Sequence, residues 1–284
     1  MLKEFKLEST ALSILGYHWD VDRPLCSICL IHGIGEHAGR YGRMAAMFNA
    51  AGISVFAMDL RGHGCSSGKR GHCSPRIDVL SDIDSLLSYA DSKLLGKPRI
   101  LFGHSMGGNI ALDYRYRGKL SEELFAYVIS SPWINLSRKL PRLMYLATKA
   151  VSLVKPDFLV SSGINPAYLG NPEMIRAEKR SLLHRRISIG TVADCVGIGR
   201  KIESGALSQK ACGLQKPMLL MHGSDDKICD VNSTRRFAAM EGPSCTYIEW
   251  EGYLHELHNG NNEKDGTEVI GAVIEWIRGL LLSE

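Results

Sequence analysis

The sequence has no long apolar run. Nowhere in its 284 residues do some 18 uncharged apolar residues follow one another, the length on the order of which a helix crosses a bilayer, so no membrane-spanning helix is expected. The first twenty residues, MLKEFKLESTALSILGYHWD, alternate polar and apolar positions and lack the continuous apolar segment of a signal peptide. The eight cysteines (26, 29, 65, 73, 195, 212, 229 and 245) are therefore expected as reduced thiols in the cytoplasm rather than as a disulfide framework. One pair, Cys26 and Cys29, has Cys-x-x-Cys spacing, but it sits in the strand-like run LCSICLIH and has no second pair to complete a zinc site. An excess of one charge is missing too. A formal net charge of +4, scattered along the chain, is too weak for nucleic-acid binding and suits at most contact with an anionic membrane surface. There is no internal repeat and no low-complexity segment.

What is present is an alternation of short apolar runs with longer helical patterns. The opening twenty residues read as two strands of an edge hairpin. Strands follow at 25–32, 53–59, 99–102, 124–130, 217–222 and 245–250, and helices at 41–52, 74–94, from 106, near 232–240 and at 267–282. Continuous apolar strands separated by helices mean a mostly parallel central sheet flanked by helices, joined by right-handed crossovers. The alternation breaks once, between about Asn135 and Gln215, where the chain is helical and irregular with Pro141, Pro156, Pro166 and Pro172 and no strand-like run. The expected organisation is an α/β core of residues 1–134 and 216–284, with 135–215 inserted as a helical cap over the carboxyl edge of the sheet.

Two stretches fit Gly-x-Ser-x-Gly: GHSMG around Ser105 and GCSSG around Ser66. A nucleophile elbow needs strand, sharp turn and helix without slack. RILFG leads straight into Ser105 and MGGNIALDY straight out, whereas Ser66 lies in a long connection. Glycines at 103 and 107 are required because side chains there would collide with strand and helix, and Gly108 lets the helix pack closer still. Ser105 is the expected nucleophile and Ser66 a loop serine.

A serine nucleophile needs a base, an acid and two oxyanion donors. In this architecture the chain order is Ser, acid, His, with the last two on loops after later strands. PMLLMHGSDDKICD supplies the acid, taken as Asp226, with Asp225 bracing the turn and Asp230 capping the next helix. CTYIEWEGYLHELHNG supplies the base, His255, with His258 as its competitor. HELH spaces its histidines three apart and does not match the His-Glu-x-x-His of zinc hydrolases; no metal and no organic cofactor is expected. The backbone N–H of Met106 is the first oxyanion donor and that of Ile34, in HGIGEHAGRY, the second. Cys229, three residues after the acid, reads as a small buried residue at a helix start.

HGIGEHAGRY, DLRGHGCSSGKRGH, GHSMGGNIAL, ISSPW, HGSDDKICD and EGYLHELH together resemble the monoacylglycerol lipase and lysophospholipase group of the α/β-hydrolase superfamily. The resemblance implies an α/β-hydrolase fold and a serine ester hydrolase acting through an acyl-enzyme on monoacylglycerols or similar single-chain lipid esters. It also implies polar residues on the alcohol side of the pocket, which fall here on Glu36, Arg40 and His258. Relatives often carry an acidic residue and proline before the position of Leu182, where this chain has Lys179, Arg180 and Ser181. The helix at 140–155, with apolar residues at 143, 144, 147, 150, 151 and 154 and basic residues at Arg138, Lys139, Arg142, Lys149 and Lys155, is then a lid touching lipid at the membrane periphery; the alternative is a stripe packed on the domain. The same triad serves lysophospholipases, carboxylesterases, thioesterases and peptidases, and a non-catalytic binding protein is the reading outside enzymes.

Overall fold

The computed structural model describes residues 2–138, 140–177, 182–207 and 216–283. In chain order the elements are β1 (Leu2–Ser9), β2 (Leu12–Trp19), β3 (Cys26–Ile31), α1 (Gly42–Ala50), β4 (Ile53–Met58), α2 (Arg76–Lys93), β5 (Arg99–His104), α3 (Met106–Arg117) and β6 (Ala126–Ser130). There follow α4 (Arg142–Val154), β7 (Leu159–Ser161), α5 (Pro172–Ala177), β8 (Arg186–Ser188), α6 (Ile189–Glu203), β9 (Met218–Gly223), α7 (Val231–Glu241), β10 (Cys245–Trp250) and α8 (Thr267–Leu282).

Eight strands form one sheet in the order β1-β2-β4-β3-β5-β6-β9-β10. β1 pairs antiparallel with β2, and β2 antiparallel with β4; every other pairing is parallel. The expected edge hairpin is there, closed by Thr10 and Ala11 at φ 44° and 63°. β3, β4, β5, β6 and β9 are buried along their whole length, which is why they read as unbroken apolar runs: helices cover both faces. Ile83, Leu86, Leu112 and Phe237 of α2, α3 and α7 pack on one face, and Phe48, Val273 and Ile277 of α1 and α8 on the other. Full burial of such a side chain contributes roughly 1.5–3 kcal/mol.

Cys26 and Cys29 are fully buried free thiols within β3, and burial pushes both up to about 12. They belong to the core.

Between β6 and β9 the chain leaves the sheet, and here one expectation fails. The stretch does contain strands: β7 and β8 pair antiparallel as a separate two-stranded sheet. Each is three residues long, too short for an alternating pattern to stand out. α6 lies against α3 and α4, and Asn109 of α3 donates through Nδ2 to the Cys195 carbonyl of α6 at 3.1 Å. α4 has no buried residue. Its apolar stripe faces outward, with Leu143, Leu153 and Val154 more than 80 % exposed or close to it (80 %, 81 % and 87 %). The alternative of a stripe packed on the domain is thereby overturned; Tyr145, lying 3.8 Å from the Arg200 guanidinium, makes the inward contact instead. No helix among the described residues is long and apolar enough to cross a membrane.

Candidate active site

β5 ends at His104, α3 starts at Met106, and Ser105 alone makes the turn, with φ 57° and ψ −116°. A non-glycine residue in that region costs on the order of 1–3 kcal/mol. Its backbone is held on both sides: its N–H donates to the Ser130 carbonyl, and its carbonyl accepts from Asn109 and Trp133, each at 3.0 Å. The glycines match their expected roles. A Cβ on Gly103 would lie 2.4 Å from the Gly107 carbonyl oxygen, and one on Gly107 would lie 2.1 Å from that of Ile31. Ser66 instead donates to the Asp59 carbonyl and accepts the Leu15 N–H, a buried loop brace.

The loops after β9 and β10 bring two more residues to Ser105. His255 Nε2 lies 2.8 Å from Ser105 Oγ, and His255 Nδ1 lies 2.7 Å from Asp226 Oδ2. All three are buried. Because Asp226 is a pure acceptor, Nδ1 carries the proton and Nε2 is left to accept from the serine hydroxyl. Asp226 Oδ1 accepts the N–H groups of Ile228 and Cys229 at 2.7 and 3.0 Å, and Oδ2 also takes His222 Nε2 at 3.1 Å. His222 is in turn 2.8 Å from Thr234 Oγ1. Burial opposes ionisation of Asp226, but His255 and His222 outweigh it and hold the carboxyl far below its ordinary range. Burial likewise opposes a charged His255, yet the Asp226 carboxylate outweighs it, and the imidazole stands above its usual value. Asp230 caps α7 as expected, accepting the Asn232 N–H.

Glu36 and Arg40 are buried and tied into one charged cluster. Glu36 accepts from the Gly33 N–H, the Arg40 guanidinium and the Tyr41 hydroxyl. Arg40 also grips Glu256 in a two-pronged pair at 2.9 and 2.8 Å. One cation thus serves two carboxylates, and burial is opposed by Arg40 strongly enough to keep the Glu256 carboxyl far below its usual range. Glu256 was not singled out from the sequence, since its partner lies 216 residues away; His222 escaped because it reads as the end of a buried strand.

His258 is a correction. It is buried against the Tyr41 ring at 4.9 Å and edge-on to His104 at 5.3 Å, and it lines neither cavity at the site. Burial, reinforced by His104, pushes its pKa down to about 3, so it is a neutral packing residue. Lys139, Lys179, Arg180 and Ser181 lie outside the described residues.

Two cavities share Ser105 and Ile34. One, of about 340 Å³, is mixed in character, charged at Glu36, Arg40 and Glu256 and apolar at Ile164, Leu169 and Leu183. The other, of about 770 Å³, is apolar and runs under α4, walled by Trp133, Leu136, Met144, Val160, Val192 and Ile228. Donor atoms of Asp226, Cys229 and His255 come within 4.8 Å of one another, a metal-like spacing. Burial raises the Cys229 thiol well above its ordinary value, leaving it neutral, and both His255 nitrogens are engaged by Asp226 and Ser105; the set fits a hydrolase triad better than an ion.

The family model for serine aminopeptidase S33 matches residues 22–264. The chain belongs to that family. The hydrolase is 31 % identical over 265 residues to a monoacylglycerol lipase of Mycolicibacterium smegmatis, covering 91 % of this chain and 90 % of that protein. It is 29 % identical to the phospholipase YtpA of Bacillus subtilis, covering 87 % and 94 %. Among solved structures, the monoacylglycerol lipase of Paleococcus ferrophilus superposes with a TM-score of 0.79 at 29 % identity, over 95 % of this chain and 99 % of that one. The resemblance carried by the motif blocks, the α/β-hydrolase fold and the serine ester hydrolase class are all borne out by these matches.

Proposed function

We propose that the hydrolase cleaves the ester of a monoacylglycerol, through an acyl-enzyme on Ser105. The observation that carries this is the pair of cavities meeting at one serine, the larger strongly apolar and the smaller bearing the charged groups Glu36, Arg40 and Glu256. An acyl chain fits the larger one, and the glycerol leaving group the smaller one beside Glu36 and Arg40. The names of the relatives from Mycolicibacterium and Paleococcus support it. A lysophospholipid, which presents the same single chain, is the second reading, favoured by the phospholipase relative and by the exposed Arg185 at the smaller cavity.

In this reading Ser105 Oγ attacks the ester carbonyl while His255 Nε2 takes its proton. Asp226 keeps His255 in the right tautomer and stabilises the imidazolium. The backbone N–H groups of Ile34 and Met106 hold the tetrahedral oxyanion; each such donor lowers the barrier by about 2.7–4 kcal/mol. His255 returns the proton to the departing alkoxide, and water admitted on the alcohol side resolves the acyl-enzyme by the same relay. Glu36 acts through the Gly33 N–H, fixing the loop that carries Ile34, and Arg40 through its hold on Glu36 and Glu256. Residues 135–215 form the cap, and α4, apolar on its outer face and basic at Arg142, Lys149 and, just past its end, Lys155, touches the membrane surface from the cytoplasm. The seven described cysteines, all free thiols, suit that reducing compartment.

The test is hydrolysis of long-chain monoacylglycerol, lysophosphatidylcholine, a diacylglycerol, p-nitrophenyl acetate and an aminoacyl arylamide by wild type and Ser105→Ala. Monoacylglycerol is expected to lead, with Ser105→Ala silent throughout. Preference for the arylamide, or retained activity in Ser105→Ala, overturns the reading.

A further inference from the structure

The cap meets the core at more than the walls of the cavities. Along one seam its backbone is hydrogen-bonded to the loop that carries His255. The His255 N–H donates to the Tyr168 carbonyl at 3.3 Å, and the Glu256 N–H to the Leu169 carbonyl at 2.6 Å. Two residues on, the Asn171 N–H donates to the Asn259 carbonyl at 3.1 Å, and Asn171 Nδ2 reaches the Lys264 carbonyl at 3.1 Å. Between them sits Gly170, where a Cβ would lie 3.2 Å from the Gly260 carbonyl oxygen and 3.3 Å from both Asn259 Cβ and the Glu256 carbonyl oxygen. A second seam holds the other side of the site. The His184 N–H donates to the Gly35 carbonyl at 2.9 Å, one residue from Ile34, and a Cβ on Gly35 would meet the His184 carbonyl oxygen at 2.3 Å.

The loop between β10 and α8 is tied to the core on either side of His255: the Asp225 N–H donates to the Tyr253 carbonyl at 3.0 Å, Arg43 reaches the His258 carbonyl, and Tyr253 and Leu257 are buried. Tyr253 and Leu254 pack against Gly223, and the Arg40 pair holds the Glu256 side chain. The main chain at His255 itself is fixed by the cap. Donors and bases in a site of this kind lose rate steeply when displaced by an ångström, so what holds that backbone matters to the chemical step.

We propose that residues 168–171 and His184 of the cap are positioning elements for the catalytic base and the oxyanion loop, so that the cap acts on the chemistry and not only on substrate binding. This rests on the reading of Ser105 and His255 as nucleophile and base. α4, which bears no such tie and has no buried residue, is the part of the cap free to shift without disturbing the triad, whereas a swing of the whole cap would take the seams apart and switch the enzyme off.

The experiment uses p-nitrophenyl acetate, whose acyl group is too small to need the apolar cavity. In Gly170→Val, which wedges the first seam, kcat on this ester is expected to fall ten-fold or more with KM changed less than two-fold. Labelling of Ser105 by a fluorophosphonate slows in parallel, and the downfield proton NMR signal of the His255 Nδ1–H held by Asp226 broadens or is lost. Gly170→Ala and Asn171→Ala give the same pattern at smaller amplitude, and they carry the test if Gly170→Val does not fold. An unchanged kcat on the acetate, with only the KM for long-chain monoacylglycerol raised, overturns the proposal and leaves the cap as an acyl wall. So does a fall in kcat with the His255 signal intact. A failure of the underlying reading shows separately, as Ser105→Ala remaining active on the same ester.

Discussion

The floor of the site and the outer face of α4 obey opposite rules. On the floor, Ser105, Asp226, His255, Glu36, Arg40 and Glu256 are all buried; Arg40 answers the Glu36 and Glu256 carboxylates, and histidine and backbone N–H groups answer Asp226. On α4 the largest apolar side chains stand in solvent, and no residue is buried. Charge is inside and grease outside, the reverse of the ordinary arrangement. The floor uses low dielectric to make a few polar contacts strong; the helix leaves its apolar surface uncovered, which marks an interaction surface.

The sharpest break is at Asp226. Asp226→Asn is expected to lower kcat by roughly 10⁴-fold, as the histidine loses its tautomer and its counter-charge. The residual activity also tests the sign of the electrostatics. On the proposed mechanism the working base is neutral His255, whose pKa is raised in the wild type, so activity is expected to fall as pH drops through that raised value. Removing the carboxylate shifts the acid limb of the kcat/KM profile to lower pH; a limb that stays put refutes the account of what raises His255.

Arg40→Met comes next. It strands two buried carboxylates, and breaking a pair of this kind by removing one partner destabilises by about 3–5 kcal/mol, read as a fall in the chemical-denaturation midpoint. Ser105→Gly runs the other way. It abolishes hydrolysis but relieves the strained turn, and a gain of about 1 kcal/mol in unfolding free energy is expected. The smallest effect belongs to the outer face. Leu143→Ser with Leu153→Ser should change stability by less than about 0.5 kcal/mol per site, while co-sedimentation with anionic phospholipid vesicles falls several-fold. If vesicle binding is unaffected, the contrast between floor and helix loses its functional meaning.

The two regions were also unequally legible in the sequence. Ser105 could be told from Ser66 because the elbow leaves no slack between strand and helix, a requirement written in consecutive residues. Asp226 and His255 could be proposed because loops after known strands have few candidates, and the structure brings both side chains to Ser105. His258 was misread because spacing within a loop does not say which way a side chain points. Glu256 was passed over because its meaning lies in Arg40, 216 residues away. β7 and β8 were missed for want of length, and α4 was recognised as a helix while its orientation was left open: periodicity reveals a stripe, and only packing reveals what the stripe faces.

The order in which these parts are made has a consequence of its own. β3, β4, β5 and β6 are neighbours in the sheet and are complete by Ser130, so the strained serine can be in place early in synthesis. Its base is 150 residues further along the chain, beyond the whole cap and after β9 and β10 have added to the sheet. Contacts of such separation form late, since the chain between them must first be ordered. On the proposed mechanism the nascent protein therefore carries its nucleophile unarmed until the last strands and their loops have docked.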